Sequence, residues 1–268
     1  MRMLIGDLNK MKKQFYRVMR EFGINPLDTI TASREIFAYY SDLRKIKKQL
    51  RKDWEIKSLF PCLHDKSDKS GTAKGHYFHQ DLLVASEIFK KNPSKHLDIG
   101  SRVDGLVAHI VAFREIEVFD IRPLDSEHKN ILFKKMDLMN PPKKYISYSD
   151  SISCLHALEY FGLGRYGDNL DIDGYIKGFE NIVNMLKKGG TFYFSVPIGS
   201  QRIEFNAHRV FSIKEIFRLA KKNGLDVIQF SYVDDSGKLY RDYMLREGDL
   251  QNNLNCNFGC GIWEFKKK

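Results

Sequence analysis

His96-Leu97-Asp98-Ile99-Gly100-Ser101-Arg102-Val103-Asp104-Gly105 is the stretch that sets the fold. A short apolar run carries an acidic residue at its end, and two glycines then bracket a polar turn. A second run, Glu117-Val118-Phe119-Asp120, closes on another acid about twenty residues on. This is the layout of a nucleotide-binding β-turn-α-β unit. Glycine lets the backbone approach the ligand, and the second acid reaches a ribose hydroxyl.

Working outward, apolar runs predict strands at His96–Ile99, Glu117–Asp120, Ile131–Lys134, Ser151–Leu155, Thr191–Val196, Leu225–Tyr232 and Gly261–Phe265. Helical spacing falls on Gly105–Ala112, Tyr175–Leu186 and Ser212–Asn223, and another helix begins near His76. Strands alternating with helices predict an α/β, Rossmann-like, doubly wound and mostly parallel sheet of seven strands. No helix separates the last two runs, so they are expected as an antiparallel edge hairpin.

Upstream, residues 1–60 read as a basic helical extension to a main domain at 61–268. Leu4, Leu8, Met11, Phe15, Val18 and Met19 recur at helical spacing, and Phe22-Gly23-Ile24-Asn25-Pro26 is a stop. A second helix is expected from Thr31 or Ser33. The pair is expected to cap the main domain, with homodimerisation or membrane-surface docking as other uses.

The 268 residues are 43% hydrophobic, enough for one sizeable core, and the formal net charge of +10 favours an anionic partner. Four scattered cysteines exclude a disulfide framework. Cys256 and Cys260 have no matching Cys/His pair nearby, so no metal site is expected. The chain shows neither a signal peptide nor a transmembrane run, and a cytoplasmic location is expected.

The choice of nucleotide turns on Arg102, which occupies the position where a dinucleotide fingerprint needs its second glycine. S-adenosylmethionine (SAM) has no phosphate to seat there. It needs a flexible turn at the methionine part and acids for the ribose and amines. Asp98 suits the methionine amine, Gly100, Ser101 and Gly105 the turn, and Asp120 with Ile121 and Arg122 the ribose. Met136-Asp137-Leu138 suits the adenine, with Asp137 accepting from its amine and Leu138 offering its backbone N–H. The segment Leu186-Lys187-Lys188-Gly189-Gly190 before the Thr191 strand is similar to the one preceding strand five of class I SAM-dependent methyltransferases, with Lys188 in place of the usual proline.

Longer runs extend the likeness. They are Gly75-His76-Tyr77-Phe78-His79-Gln80-Asp81, Phe113 through Leu124, Leu155 through Asp168, and Val196-Pro197-Ile198-Gly199 with Arg202 through Arg209. From about Pro61 to Phe265 the chain resembles the DUF268 family of class I methyltransferase-like proteins, found among other places with bacterial surface-polysaccharide genes. The resemblance implies SAM as cofactor and S-adenosylhomocysteine as product. It also implies a lid over the methionine part, contributed by Tyr77 and Gln80.

An oxygen acceptor needs a base within hydrogen-bond reach. His208 and His156 are the first candidates and His79 the third, with His156 also near the cofactor. Glu159, Arg165, Tyr166, Arg202 and Arg209 are expected at the acceptor, guanidinium being suited to phosphate or carboxylate. Asn140-Pro141-Pro142 reads as a turn.

The expected activity is O-methylation of a small polar or anionic acceptor, such as a sugar, sugar nucleotide or phosphoryl-linked group in surface-polysaccharide biosynthesis. A nucleic-acid methyltransferase is the enzymatic alternative, although nucleic acid is the less favoured partner. A non-catalytic SAM-fold scaffold is the alternative of another class.

Overall fold

A computed structural model describes residues 2–268, and their contacts divide into two units, one ending at Thr72 and the other spanning Ala73–Lys268. The expected division fell at 60/61. In the first unit, α1 (Arg2–Glu21) is followed by α2 (Pro26–Gln49). Pro26 starts α2 and does not merely stop α1. Its fixed φ and missing N–H suit a first helical turn, so the helix begins well before Thr31. Helix α2 buries none of its residues.

The second unit opens with α3 (His76–Lys91), whose Val84, Ala85 and Ile88 are buried. Next come β1 (His96–Ile99), a π-type turn over Val103–Val107 running into α4 (Ala108–Val111), β2 (Ile116–Asp120), β3 (Ile131–Lys135) and β4 (Ser149–Leu155). Helix α5 (Gly174–Met185) leads into β5 (Leu186–Ile198). A small hairpin follows, β6 (Arg202–Glu204) with β7 (His208–Val210), and then α6 (Ile213–Lys222). The chain ends with β8 (Leu225–Val233), β9 (Leu239–Tyr240), α7 (Glu247–Asn252) and β10 (Gly259–Lys267).

The main sheet runs β3-β2-β1-β4-β5-β10-β8-β9. The first five strands are parallel, whereas β10 is antiparallel to both β5 and β8. The mostly parallel, doubly wound sheet is therefore as expected, with two corrections. It has eight strands, because Leu239-Tyr240 pairs with Tyr232-Val233 and stacks Tyr240 on Tyr232 at 4.6 Å. The antiparallel strand β10 also lies inside the sheet and not at its edge.

Side chains alternate across the sheet as strand geometry requires. Leu97, Ile99, Phe192, Phe194 and Val196 join one core with Phe179 of α5 and Ile216 of α6. Ile116, Val118, Tyr193 and Ile262 join the other with Val84 of α3 and Ile110 of α4. The Gly189-Gly190 stretch breaks the register of β5, since β4 pairs with Leu186 and then resumes at Thr191. Strand order reverses between β1 and β4, and in open α/β sheets ligands bind beyond the carboxyl ends of the strands at that point.

Candidate active site

The turn after β1 is built from beneath. Asp98 is fully buried and accepts bonds from Ser101 N (3.1 Å), Ser101 Oγ (2.8 Å) and Ser153 Oγ (2.5 Å). Burial pushes its pKa up to about 6 against the pull of those bonds. Ser153 gives its proton to Asp98, so it must accept from His96 Nε2 at 3.1 Å. His96 Nδ1 then accepts from Ser151 Oγ at 2.8 Å. This neutral histidine has its pKa lowered to about 3 by burial.

Above the ladder, Gly100 turns at φ +69°, and its N–H donates to Phe119 O at 2.9 Å. A Cβ on Gly100 would stand 2.8 Å from Ala157 Cβ, so glycine is required there for two separate reasons. Gly105 is also tightly packed, since a Cβ there would lie only 2.7 Å from Asp81 Oδ2.

A cavity of about 330 Å³ opens at the carboxyl ends of β1, β2 and β4. Among the residues expected at the cofactor, Tyr77, Gly100, Asp120, Ile121, Arg122, Asp137, Leu138 and His156 line it. Arg165 and Tyr166, expected at the acceptor, line it too. Gln80, Asp98, Ser101 and Gly105 lie off the wall, and the first three support it from below. Gln80, for instance, accepts from Ser195 Oγ at 2.6 Å.

Asp120 ends β2 in a two-pronged pair with Arg122, Nε to Oδ1 at 3.0 Å and Nη2 to Oδ2 at 2.5 Å. Arg122 also reaches Gly100 O at 3.3 Å and stacks on Tyr166 at 4.7 Å. Arg165 lies over Tyr160 at 4.8 Å and donates to Ala207 O at 2.6 Å. Arg165 also lies 5.3 Å from the Tyr166 ring, so two guanidiniums pack on Tyr166 at the cavity. The loop that carries Arg165 and Tyr166 is folded by Asp168, which accepts from Gly162 N at 2.7 Å and Gly164 N at 3.2 Å.

The other expected acceptor residues have different placements. Arg209 is buried and donates to the carbonyls of Phe161 (2.6 Å) and Ile172 (3.1 Å), bracing the loop from outside the cavity. Arg202 pairs with Glu204 and donates to Asn257 O at 3.0 Å. Glu159 is fully buried behind His156.

Of the three expected bases, only His156 is on the wall. It sits in left-handed backbone at φ +50°, an uncommon state for a residue with a Cβ. Its Nδ1 donates to Glu159 Oε1 at 2.7 Å, and its buried Nε2 has no hydrogen-bond partner. Burial disfavours the charged ring, but Cys260 and Glu159 outweigh it and raise the pKa. The ring stacks on His76 and packs against Tyr77, each at 5.1 Å. Burial, aided by the charge of His156, lowers the His76 pKa to about 4. His208 packs on Phe258 at 4.9 Å, and His79 packs edge-on to Phe78 at 5.3 Å; neither lines the cavity.

Sequence reasoning missed Phe119, Met139, Tyr160 and Asp168 as cavity residues, and Cys260 as a neighbour of His156. The Leu155–Asp168 run, dense in glycine and aromatics, held a signal for Tyr160 and Asp168. Cys260 becomes a neighbour only through the insertion of β10 beside β5.

Residues 115–241 match the DUF268 family, described as a Caenorhabditis protein of unknown function, which bears out the resemblance over that segment. No curated protein matches the chain. The fold is similar to that of a Burkholderia thailandensis 1,6-didemethyltoxoflavin-N1-methyltransferase solved with 1,6-didemethyltoxoflavin and S-adenosylhomocysteine. The identity is 12%, coverage is 91% of each chain and the TM-score is 0.51. A Galdieria sulphuraria protein described as a sarcosine dimethylglycine methyltransferase is 16% identical over 71% of this chain and 86% of its own, with a TM-score of 0.51. The second unit therefore has the Rossmann-like fold found in SAM-dependent methyltransferases.

Proposed function

We propose that the protein is a SAM-dependent methyltransferase that binds its cofactor in the cavity beyond β1, β2 and β4. The observation that carries this reading is the joint placement of the Gly100 turn, Asp120 and the Asp137-Leu138 pair on one wall of about 330 Å³. That volume falls within the range of about 300–1,000 Å³ common for small-molecule sites. The methionine part lies at the Gly100 turn, the ribose hydroxyls bond Asp120, and the adenine lies against Met136 to Leu138. Arg122 then shares or yields Asp120 when the cofactor enters.

Methyl transfer is an in-line displacement, so the protein contributes mainly by holding donor and acceptor in register. The acceptor reading is O-methylation of a small polar or anionic molecule, a sugar, sugar nucleotide or phosphoryl-linked group of surface-glycan synthesis. Arg165, which with Arg122 packs on Tyr166 at the cavity, supports an anionic group there. His156, the one expected base that lines the cavity, takes the base role in this reading after its ring gives up the proton that Cys260 and Glu159 favour. Methyl-labelled SAM incubated with nucleotide sugars and glycan fragments tests this. Label should transfer to a sugar oxygen, and transfer should fall at least a hundredfold in His156→Ala. No transfer to any sugar would refute the acceptor class.

A further inference from the structure

Three side chains from separate parts of the chain converge behind the cavity wall. His76 begins α3, His156 follows β4 and Cys260 lies in β10. One ligand atom from each, a ring nitrogen or the thiol sulfur, lies within 4.8 Å of the other two. We propose that His76, His156 and Cys260 form a binding site for a thiophilic divalent cation, zinc foremost.

The orientation of His156 carries the argument furthest. Its side chain is 3% exposed, its Nδ1 is held by the buried Glu159 carboxylate, and its Nε2 has no hydrogen-bond partner. A buried polar atom left unpaired is costly, and coordination is one way to satisfy it. A carboxylate on the far nitrogen is also the usual support of a metal-bound histidine, fixing both tautomer and ring direction. The His76 ring is held on its other side by stacking on Phe258 at 5.4 Å. Cys260 Sγ lies 3.6 Å from Gln80 Oε1 and 3.7 Å from Gly261 O and also interacts with His156, so the thiol already faces the cluster.

Two imidazoles and one thiolate are a borderline-soft donor set that suits zinc over magnesium or calcium. On one ion with bonds of about 2.0–2.3 Å, the donors would stand about 3.5 Å apart, so the cluster contracts slightly on loading. The His76 and His156 rings are nearly parallel, with 12° between planes, so His76, the less buried ring, tilts to bring its lone pair onto the ion. Three protein ligands would leave a zinc ion one further position, where it would supply Lewis-acid activation of an oxygen. With the ion bound, His156 would hold the metal and would not act as the base.

The test is metal analysis and cobalt spectroscopy on the full chain. Protein prepared without chelator should carry about one zinc per chain, the stoichiometry of a single closed donor set. Metal-free protein titrated with cobalt chloride should show a thiolate-to-cobalt charge-transfer band and tetrahedral visible absorption. Cys260→Ser should abolish the charge-transfer band, and Glu159→Gln should weaken zinc binding about 10- to 100-fold. A wild-type chain that takes up neither ion, or a cobalt complex without the thiolate band, would overturn the proposal. The wild-type spectrum needs no variant, so a misfolded variant cannot obscure the result. Metal uptake without S-adenosylhomocysteine binding would sink the methyltransferase reading and leave the metal site standing.

Discussion

Gly100→Ala tests the turn that organises the cavity. The backbone there is at φ +69°, and an L-residue in left-handed conformation costs about 1–2 kcal/mol. The added Cβ would also lie 2.8 Å from Ala157 Cβ, well inside carbon–carbon contact at about 3.5–4.0 Å. Overpacking of that kind costs about 1–3 kcal/mol, for a total of about 2–5 kcal/mol. At roughly 2–4 °C per kcal/mol for a unit of this size, melting should drop by roughly 4–20 °C. A double-mutant cycle separates the two causes. Ala157→Gly removes the facing methyl and should return the overpacking share of about 1–3 kcal/mol, while the backbone cost stays. Calorimetry on the four chains reads all of this. Wild-type melting for Gly100→Ala, or strictly additive effects in the double mutant, would refute the reasoning.

Asp120→Asn should weaken S-adenosylhomocysteine binding about 10- to 150-fold, the loss of one charge-assisted bond of about 1.5–3 kcal/mol; unchanged affinity by calorimetric titration would remove Asp120 from the ribose contact. His96 should govern acid stability. Its folded pKa of about 3 lies below its ordinary value of 6.5, so below pH 6.5 the unfolded chain gains a proton that the folded chain refuses. Stability attributable to His96 is therefore complete above pH 6.5 and lost as the pH falls towards 3. Asp98 acts in the opposite direction between its ordinary value of 3.8 and about 6, because its raised pKa favours proton uptake by the folded form. In urea unfolding at pH 7 and pH 5, His96→Asn should lose less stability than wild type on acidification, and an equal loss would contradict the ladder.

The β-turn-α-β unit was legible because buried parallel strands leave short apolar runs, and because Asp98 and Asp120 sit at their ends. The order of the sheet was harder to read. Nothing in Gly259–Lys267 itself says that it inserts between β5 and β8, a pairing fixed by neighbours distant in sequence. The start of α2 was misplaced because proline breaks a helix interior yet suits a first turn. At the candidate site, residue type indicated chemistry but not direction. Arg165 and Arg209 look alike in sequence, yet one lines the cavity and the other spends its guanidinium on backbone carbonyls. Asp98 likewise reads as a ligand contact, whereas the structure uses it to hold Ser101. The His76, His156 and Cys260 cluster spans 184 residues between its first and last members, so no local motif could announce it.

The central claim is that the cavity behind the Gly100 turn takes SAM. Calorimetric titration of S-adenosylhomocysteine into the full chain tests it most directly. The account predicts saturable binding of one molecule per chain; an absence of binding to folded protein would contradict it.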